Sequence, residues 1–212
     1  MTSLPPSVLD LAPVIPVVVV ERLADAVPLA RALVAGGLPV IEVTLRTPVA
    51  VAAIRTIAEE LPDVVVGAGT VVSPKNAADA VAAGARFLVS PGCTPALLDA
   101  MQAAGTPFLP GVCTPSEVVA LLEREVTEMK FFPAEAAGGT SFLKSLAGPL
   151  PAARFCPTGG ISEASAPAYL ALPNVGCVGG SWMLPAAAVA ARDWTRITSL
   201  ARDAAALTGA QG

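Results

Sequence analysis

Short apolar runs rich in β-branched residues recur along the chain about every 20 to 26 residues. Alanine- and leucine-rich stretches of helical length separate these runs, and such spacing is typical of repeated strand–helix units. We therefore predict eight strands, at residues 15–20, 40–45, 64–68, 87–90, 108–112, 129–132, 154–157 and 176–178.

The stretches between the strands predict helices at residues 23–35, 49–60, 76–83, 95–104 and 116–124, with a final helix at 194–207. Four prolines, at positions 48, 74, 95 and 115, stand where a first helical turn would begin. Eight alternations favour an α/β fold with one domain over residues 1–212, a (β/α)8 TIM barrel, rather than an open doubly wound sheet. Residues 7–11 are expected to form an N-terminal helix that closes the bottom of the barrel.

The second predicted strand has a polar face. Glu42, Thr44 and Arg46 alternate with apolar residues, so their side chains share one face of the strand. Parallel strands that are covered on both faces are normally apolar throughout. In a barrel this polar face would point inside and rise toward the C-terminal rim, where the active sites of such barrels lie. An exposed edge strand with an ordinary polar face is the alternative.

The sixth predicted strand holds Lys130 within an apolar, aromatic run. Burying an ammonium group is costly, and burial favours the neutral amine, a nucleophile that can form a Schiff base with a ketone. The run alone equally allows a lysine that extends to the rim or pairs with Glu135. We expect Lys75, at a helix start, and Lys144, in a helical stretch, to be ordinary surface lysines.

Two glycine pairs, Gly159-Gly160 and Gly179-Gly180, follow the last two predicted strands. The corresponding loops of such barrels commonly bind phosphate, because glycine lets backbone N–H groups approach an anion. Each pair lies beside a hydroxyl residue, Thr158 or Ser181. A phosphate site is therefore predicted here. The glycines at 67–69, after the third strand, are expected to leave room beside a ligand or to form a tight turn.

Composition narrows the chemistry further. The 212 residues include no histidine, which excludes Ser-His-Asp and Cys-His nucleophiles and the HExxH type of metal site. A net charge of −4 gives no sign of nucleic-acid binding, and no apolar run reaches the roughly 18 residues that a membrane span requires. The N-terminal residues lack the basic region of a signal peptide. The four cysteines lack zinc-type spacing, so we expect reduced, mostly buried thiols in a cytoplasmic protein.

Several motifs carry a resemblance to a known family. The most specific are Lys-Phe-Phe-Pro-Ala-Glu at 130–135 and Cys-Pro-Thr-Gly-Gly-Ile at 156–161, and further matching stretches lie at 35–37, 42–47, 66–71, 90–92, 109–111 and 179–182. Over residues 10–205 the chain resembles the 2-keto-3-deoxy-6-phosphogluconate (KDPG) and 4-hydroxy-2-oxoglutarate (KHG) aldolases, which are class I pyruvate aldolases.

The resemblance implies roles for individual residues. Lys130 matches the lysine that forms the Schiff base, and Glu42 matches the general acid and base. Arg46 and Thr70 match groups that hold the pyruvate carboxylate. The other residues implied to contact substrate are Pro91, Phe132, Thr158, Gly159, Gly160, Gly180 and Ser181, the last five at the phosphate end.

The resemblance also implies cleavage of KDPG to pyruvate and glyceraldehyde 3-phosphate, and of KHG to pyruvate and glyoxylate. The implied partners are a phosphorylated keto acid and two further copies of the chain in a homotrimer, with no nucleic acid and no membrane. No cofactor and no metal are expected. The alternatives are the corresponding phosphogalactonate aldolase, an isomerase that uses Glu42 as a base, and a non-catalytic barrel that binds phosphosugars.

Overall fold

A computed structural model describes residues 7–207 of the chain, and all strand pairings within this range are parallel. The strands are β1 (Val14–Val18), β2 (Val40–Thr44), β3 (Val65–Gly69), β4 (Leu88–Val89), β5 (Phe108–Leu109), β6 (Gly111–Val112), β7 (Glu128–Phe131), β8 (Arg154–Pro157) and β9 (Val178–Gly180). Each predicted strand therefore overlaps an observed one, although the last is placed two residues too early.

Helices separate the strands and cover the outside of the sheet. They are α1 (Ala26–Ala35), α2 (Ala50–Glu60), α3 (Pro74–Ala82), α4 (Pro95–Ala103), α5 (Pro115–Leu122), α6 (Gly139–Ala147), α7 (Ala166–Leu170), α8 (Ala186–Ala190) and α9 (Trp194–Ala205). The sequence does not predict α7 and α8, because five residues are too few to show a helical period. No helix within residues 7–207 is long and apolar enough to cross a membrane.

Three of these helices begin at a proline, as predicted, and a hydroxyl residue caps each of them. Helices α3, α4 and α5 begin at a proline, and the hydroxyl of the preceding Ser73, Thr94 or Thr114 accepts a hydrogen bond from a backbone N–H of the first turn. The prediction for Pro48 was wrong: α2 begins two residues later, at Ala50, and Pro48 lies in the turn before it.

The sheet curls, and its first strand pairs with its last. One part has the order β5-β4-β3-β2-β1-β9 and the other has the order β6-β7-β8. Proline lacks a backbone N–H, and Pro110 divides the fifth predicted strand into β5 and β6. Isolated parallel bridges between Phe155 and Val175 and between Thr158 and Gly179 connect the two parts again. The order has no reversal point of the kind that a doubly wound sheet contains.

Two apolar clusters lie on opposite sides of the sheet. The larger lies between the sheet and the helices and includes Ile41, Val43 and Phe131. The smaller fills the lower part of the inside of the curl, and its members are Val8, Leu9, Ile15, Val40, Val65, Phe87, Val89, Leu109, Cys156 and Cys177. The upper part of the inside is therefore left to the polar side chains of β2 and β7.

A short 3-10 helix at Val8–Asp10 closes the bottom of the curl, as predicted for residues 7–11. Polar contacts hold it against β7 and β8. The hydroxyl of Ser7 donates to Glu128 Oε1 at 2.6 Å, and Arg154 forms ion pairs with Asp10 at 2.6 Å and with Glu128 at 3.1 Å. The Ser7 hydrogen bond, the ion pairs of Arg154 and the buried side chains of Val8 and Leu9 together hold this segment in place.

Candidate active site

A buried lysine and a buried carboxylate meet inside the curl. Lys130 Nζ donates to Glu42 Oε1 at 3.2 Å, and the two residues are 4% and 2% exposed. The alternation predicted for β2 and β7 is thereby confirmed, because Ile41, Val43 and Phe131 face the helices. The edge-strand alternative for β2 is wrong, since β2 pairs with β1 and β3.

Burying both members of an ion pair costs several kcal/mol per ion, and their mutual attraction repays this only in part. A buried ion pair is therefore weak evidence for a stabilising role and stronger evidence for a role in a reaction. The amine and the carboxylate are close enough to exchange a proton directly. An amine that has lost its proton to the carboxylate is a nucleophile.

Gly69 makes room for the carboxylate. A Cβ atom at this position would lie 2.7 Å from Glu42 Cδ and closer still to Oε1. The space that Gly69 leaves free, which we predicted for a ligand, is thus occupied by the side chain of Glu42. Gly67 behaves similarly, since a Cβ there would overlap the ring of Phe87. Glycine in the middle of β3 is a signal of such a close approach.

Arg46 and Thr70 form a second polar group at the rim. Arg46 Nε donates to Thr70 Oγ1 at 3.1 Å. Thr70 has a φ of 58°, in the left-handed region that non-glycine residues rarely adopt. Such backbone strain is common at functional sites. The guanidinium is exposed and keeps its other N–H groups free to bind both oxygens of a planar carboxylate.

Phe132 lies beside Lys130, and Pro91 lies against Gly111, the residue of β6 that pairs with Lys130. The ammonium group lies 5.5 Å from the centre of the Phe132 ring, within the range of a cation–π contact. The backbone of Pro91 approaches β6 so closely that a Cβ at Gly111 would overlap it. Sequence reasoning missed Gly111, although glycine within a strand is again the relevant signal.

The predicted phosphate loops lie next to each other. Thr158 forms a parallel bridge with Gly179, and a Cβ at Gly179 would overlap the threonine hydroxyl. Gly159 and Gly160 have φ values of 105° and 82°, which glycine adopts readily. This backbone turns at the edge of the site, where its N–H groups can approach an anion.

Ser181 follows β9 and is exposed. It borders a cleft of about 490 Å³ that is otherwise lined mainly by apolar residues from the end of β1 and the loop after it and from α8 and the loop before it, among them Val19, Leu184 and Val189. Glu42 and Lys130 thus lie within β2 and β7, whereas the other predicted site residues lie at the ends of strands or in the loops that follow them.

Glu135 does not contact the catalytic pair. Its carboxylate accepts a hydrogen bond from the hydroxyl of Tyr169 at 2.8 Å, whereas Lys130 pairs with Glu42. The alternative that Lys130 pairs with Glu135 is wrong. The sequence gives no signal for the contact with Tyr169, because the two residues are 34 positions apart.

The other lysines and the cysteines lie elsewhere. Lys75 pairs with Asp79 at 2.6 Å on the surface, and Lys144 is exposed on α6, both as expected. Cys156 and Cys177 are buried, but Cys93 and Cys113 are only half-buried, so the expectation of buried thiols was correct for two of the four. Among residues 7–207 no group of three or more acidic or cysteine side chains has an arrangement that could hold a metal ion.

Comparisons with known proteins agree over nearly the whole chain. Residues 6–200 match the model of a family described as KDPG and KHG aldolase. The chain is 54% identical over 198 residues to the KHG/KDPG aldolase of Escherichia coli (strain K12), and the alignment covers 93% of each protein.

Solved structures are similar as well. The KDPG aldolase from Legionella pneumophila has a TM-score of 0.92 and 49% identity, covering 93% of this chain and 96% of that one, and its crystal structure holds pyruvate captured at low pH as a covalent carbinolamine intermediate. The KDPG aldolase of Zymomonas mobilis ZM4, in a crystal structure with 3-phosphoglycerate, has a TM-score of 0.90 and 50% identity and covers 95% of each chain.

Proposed function

This chain belongs to the family of KDPG and KHG aldolases and is thus a lyase, and from that premise we propose how its own residues carry out the reaction. The enzyme cleaves KDPG to pyruvate and glyceraldehyde 3-phosphate, and KHG to pyruvate and glyoxylate. The single observation that carries the mechanism is the buried contact between Lys130 Nζ and Glu42 Oε1 at 3.2 Å.

The reaction begins with proton transfer from the Lys130 ammonium to the Glu42 carboxylate, which leaves a neutral amine. The amine adds to the C2 carbonyl of the substrate to give a carbinolamine. Glu42 then returns its proton to the departing hydroxyl group, water leaves, and a protonated imine remains. The covalent carbinolamine of the Legionella pneumophila relative supports this route.

Cleavage uses the imine as an electron sink. Glu42, now a carboxylate again, accepts the proton of the C4 hydroxyl through one water molecule. The electrons of the C3–C4 bond move toward the imine nitrogen, so that an aldehyde leaves and an enamine remains. Glu42 then returns a proton to C3, and hydrolysis of the imine releases pyruvate and the free lysine.

Substrate binding holds the two ends of the molecule. We assign the carboxylate end to Arg46 and Thr70, whose contact at 3.1 Å directs the guanidinium toward the rim beside Glu42. The phosphate end is assigned to the backbone of 158–160, to Gly180 and to Ser181. Binding energy at the remote phosphate can raise the rate of cleavage as well as the affinity, because it helps to fix the reacting bond.

We further propose that the two parts of the sheet form one closed (β/α)8 barrel in a single domain. The pairing of β1 with β9, the one-residue gap at Pro110 and the bridge between Thr158 and Gly179 support closure. The homotrimer and the cytoplasmic location stay predictions, and the first is tested by light scattering of the purified protein.

Borohydride trapping tests the mechanism. Incubation with pyruvate and sodium borohydride should reduce the imine to a stable secondary amine, and peptide mass spectrometry should find the adduct at Lys130. Activity should fall in proportion to labelling. Active enzyme without an adduct at Lys130 would refute the Schiff base.

Two lysine variants provide the control. Lys130→Arg should abolish both labelling and activity, because a guanidinium does not form an imine at neutral pH. Lys144→Arg changes an exposed lysine on α6 and should leave both unchanged. Measuring pyruvate release from KDPG and from the phosphogalactonate isomer side by side then identifies the preferred substrate.

A further inference from the structure

The loop assigned to the phosphate is attached to the segment that follows the catalytic lysine. The backbone N–H of Ala134 donates to the carbonyl of Thr158 at 2.8 Å, and that of Glu135 donates to the carbonyl of Gly159 at 3.0 Å. Only three residues separate Lys130 from Ala134. The distance between the lysine and the phosphate loop is therefore set by the conformation of residues 131–135.

The side chain of Glu135 also supports the loop. A Cβ atom at Gly160 would lie 2.8 Å from both Cβ and Cγ of Glu135, so the glycine backbone lies directly against the stem of the glutamate. On the other side of the loop, a Cβ at Gly159 would lie 3.2 Å from the ring of Phe132. The loop thus rests on two side chains from the segment that carries the lysine.

Tyr169 fixes the far end of the Glu135 side chain. Tyr169 lies on α7 and is 1% exposed, whereas Glu135 is an exposed residue. The phenol donates to Glu135 Oε1 at 2.8 Å, next to a cavity of about 420 Å³ between α7 and the start of α6. Burial and the hydrogen bond to Glu135 both raise the pKa of Tyr169, so the phenol stays protonated and remains a donor at neutral pH. Without this bond, the glutamate stem could turn into the cavity.

We propose that Glu135 and Tyr169 form a positioning pair that holds the 158–160 loop at the distance required by a phosphorylated substrate, and thereby set the preference for KDPG over KHG. This inference rests on the proposed function. The pair is not itself a phosphate ligand, because the carboxylate of Glu135 would repel the anion. KHG ends in a carboxylate at C5 and carries no phosphate, so its cleavage should not depend on the loop.

The test compares kcat/KM for the two substrates in single variants. Tyr169→Phe should lower kcat/KM for KDPG about ten-fold and leave kcat/KM for KHG within about two-fold of the wild-type value. A factor of ten in kcat/KM corresponds to about 1.4 kcal/mol of lost transition-state stabilisation. KM for KDPG should rise, and the rate of borohydride trapping with pyruvate should not change.

Variants of the exposed Glu135 provide a second measurement that does not alter a buried residue. Glu135→Ala removes the stem and should reduce kcat/KM for KDPG by at least as much as Tyr169→Phe does. Glu135→Gln keeps the stem and a carbonyl acceptor for the phenol and should restore most of the activity. Glu163→Ala, at an exposed position between the loop and α7, is the matched control and should change neither substrate.

Three results would overturn the inference. Equal losses of kcat/KM with KDPG and KHG would indicate a general structural role. Wild-type kcat/KM for KDPG in Tyr169→Phe and Glu135→Ala would remove the pair from substrate selection. A Glu135→Gln loss equal to that of Glu135→Ala would exclude the hydrogen bond. Failure of the proposed function gives a different result: wild-type enzyme would then release pyruvate from neither substrate.

Discussion

Replacing Gly69 by alanine should displace the carboxylate of Glu42, the acid and base that we propose, without changing any reactive group. Gly69 ends β3 beside Glu42, and an added Cβ would lie 2.6 Å from Glu42 Cγ and 2.7 Å from Cδ. Ordinary van der Waals contacts of a Cβ begin at about 3.4 Å. Cγ and Cδ of Glu42 must therefore move by about 0.7 to 0.8 Å, and Oε1, which lies closer still to the added Cβ, must move by more. The glutamate moves rather than the alanine, because the new Cβ is fixed to the backbone of a central strand.

That displacement matters because the contact with Lys130 is already at 3.2 Å. A shift of Oε1 by this amount or more takes the carboxylate out of its present hydrogen-bond geometry with Nζ, because N–H···O contacts depend steeply on distance and angle. A misplacement of about 1 Å can cost on the order of 100-fold in rate. We expect kcat for pyruvate release from KDPG to fall about 30- to 100-fold, and trapping with borohydride to slow as well, since both steps need the proton transfer.

The variant should still fold. Overpacking of this kind costs about 1 to 3 kcal/mol, and the melting temperature should fall by several degrees, which calorimetry can measure. Gly148→Ala is the matched control, because Gly148 has a φ of −72° and a Cβ there meets no described atom within 4 Å. Gly69→Ala enzyme with the kcat of the wild type would show that the position of Glu42 is not important for catalysis.

Three further predictions concern other parts of the molecule. Glu42→Gln should still form a trappable imine with pyruvate, though slowly, and should release pyruvate from KDPG far more slowly than wild type; unchanged turnover would remove Glu42 from the mechanism. A hydrogen bond with Cys156 and burial raise the pKa of Cys177, so little of this thiol is present as the reactive thiolate. Alkylation of Cys177 by iodoacetamide at pH 8 should therefore require unfolding. Rapid labelling of Cys177 in the native protein would contradict this. Arg154→Met removes two partly exposed ion pairs and should lower the free energy of unfolding by about 1 kcal/mol in urea titrations. No change would show that these ion pairs do not stabilise the 3-10 helix.

The inward position of Glu42 and Lys130 was predictable because burial is costly for charges. Glu42 and Lys130 interrupt strands that are otherwise apolar, and alternation along each strand placed both on the inner face. Their contact depends on the fold, because 88 positions separate them in sequence. The prediction of a barrel placed both at the same end of the sheet, and the structure brings them within hydrogen-bond distance.

Other features could not be read from local pattern. The division at Pro110 depends on how the chain pairs on either side, and the five-residue helices α7 and α8 are too short for a periodic signal. Because Glu135 is close to Lys130 in sequence, an ion pair between them was one of the possibilities. The hydrogen-bond partner of Glu135 is instead Tyr169, on a helix 34 positions away. Local patterns indicate which face a side chain occupies, whereas contacts between distant elements require the packed structure.

The two ends of the described chain lie at the same end of the sheet. Ser7 contacts Glu128 at the start of β7, and Leu207 lines a cavity together with Leu9 and Gly176. Lys130 and the loops that follow the strands lie at the opposite end. A linker or solid support joined to the chain at Ser7 or Leu207 would therefore lie at the end of the sheet opposite to Lys130, which suits the enzyme to oriented immobilisation in a flow reactor.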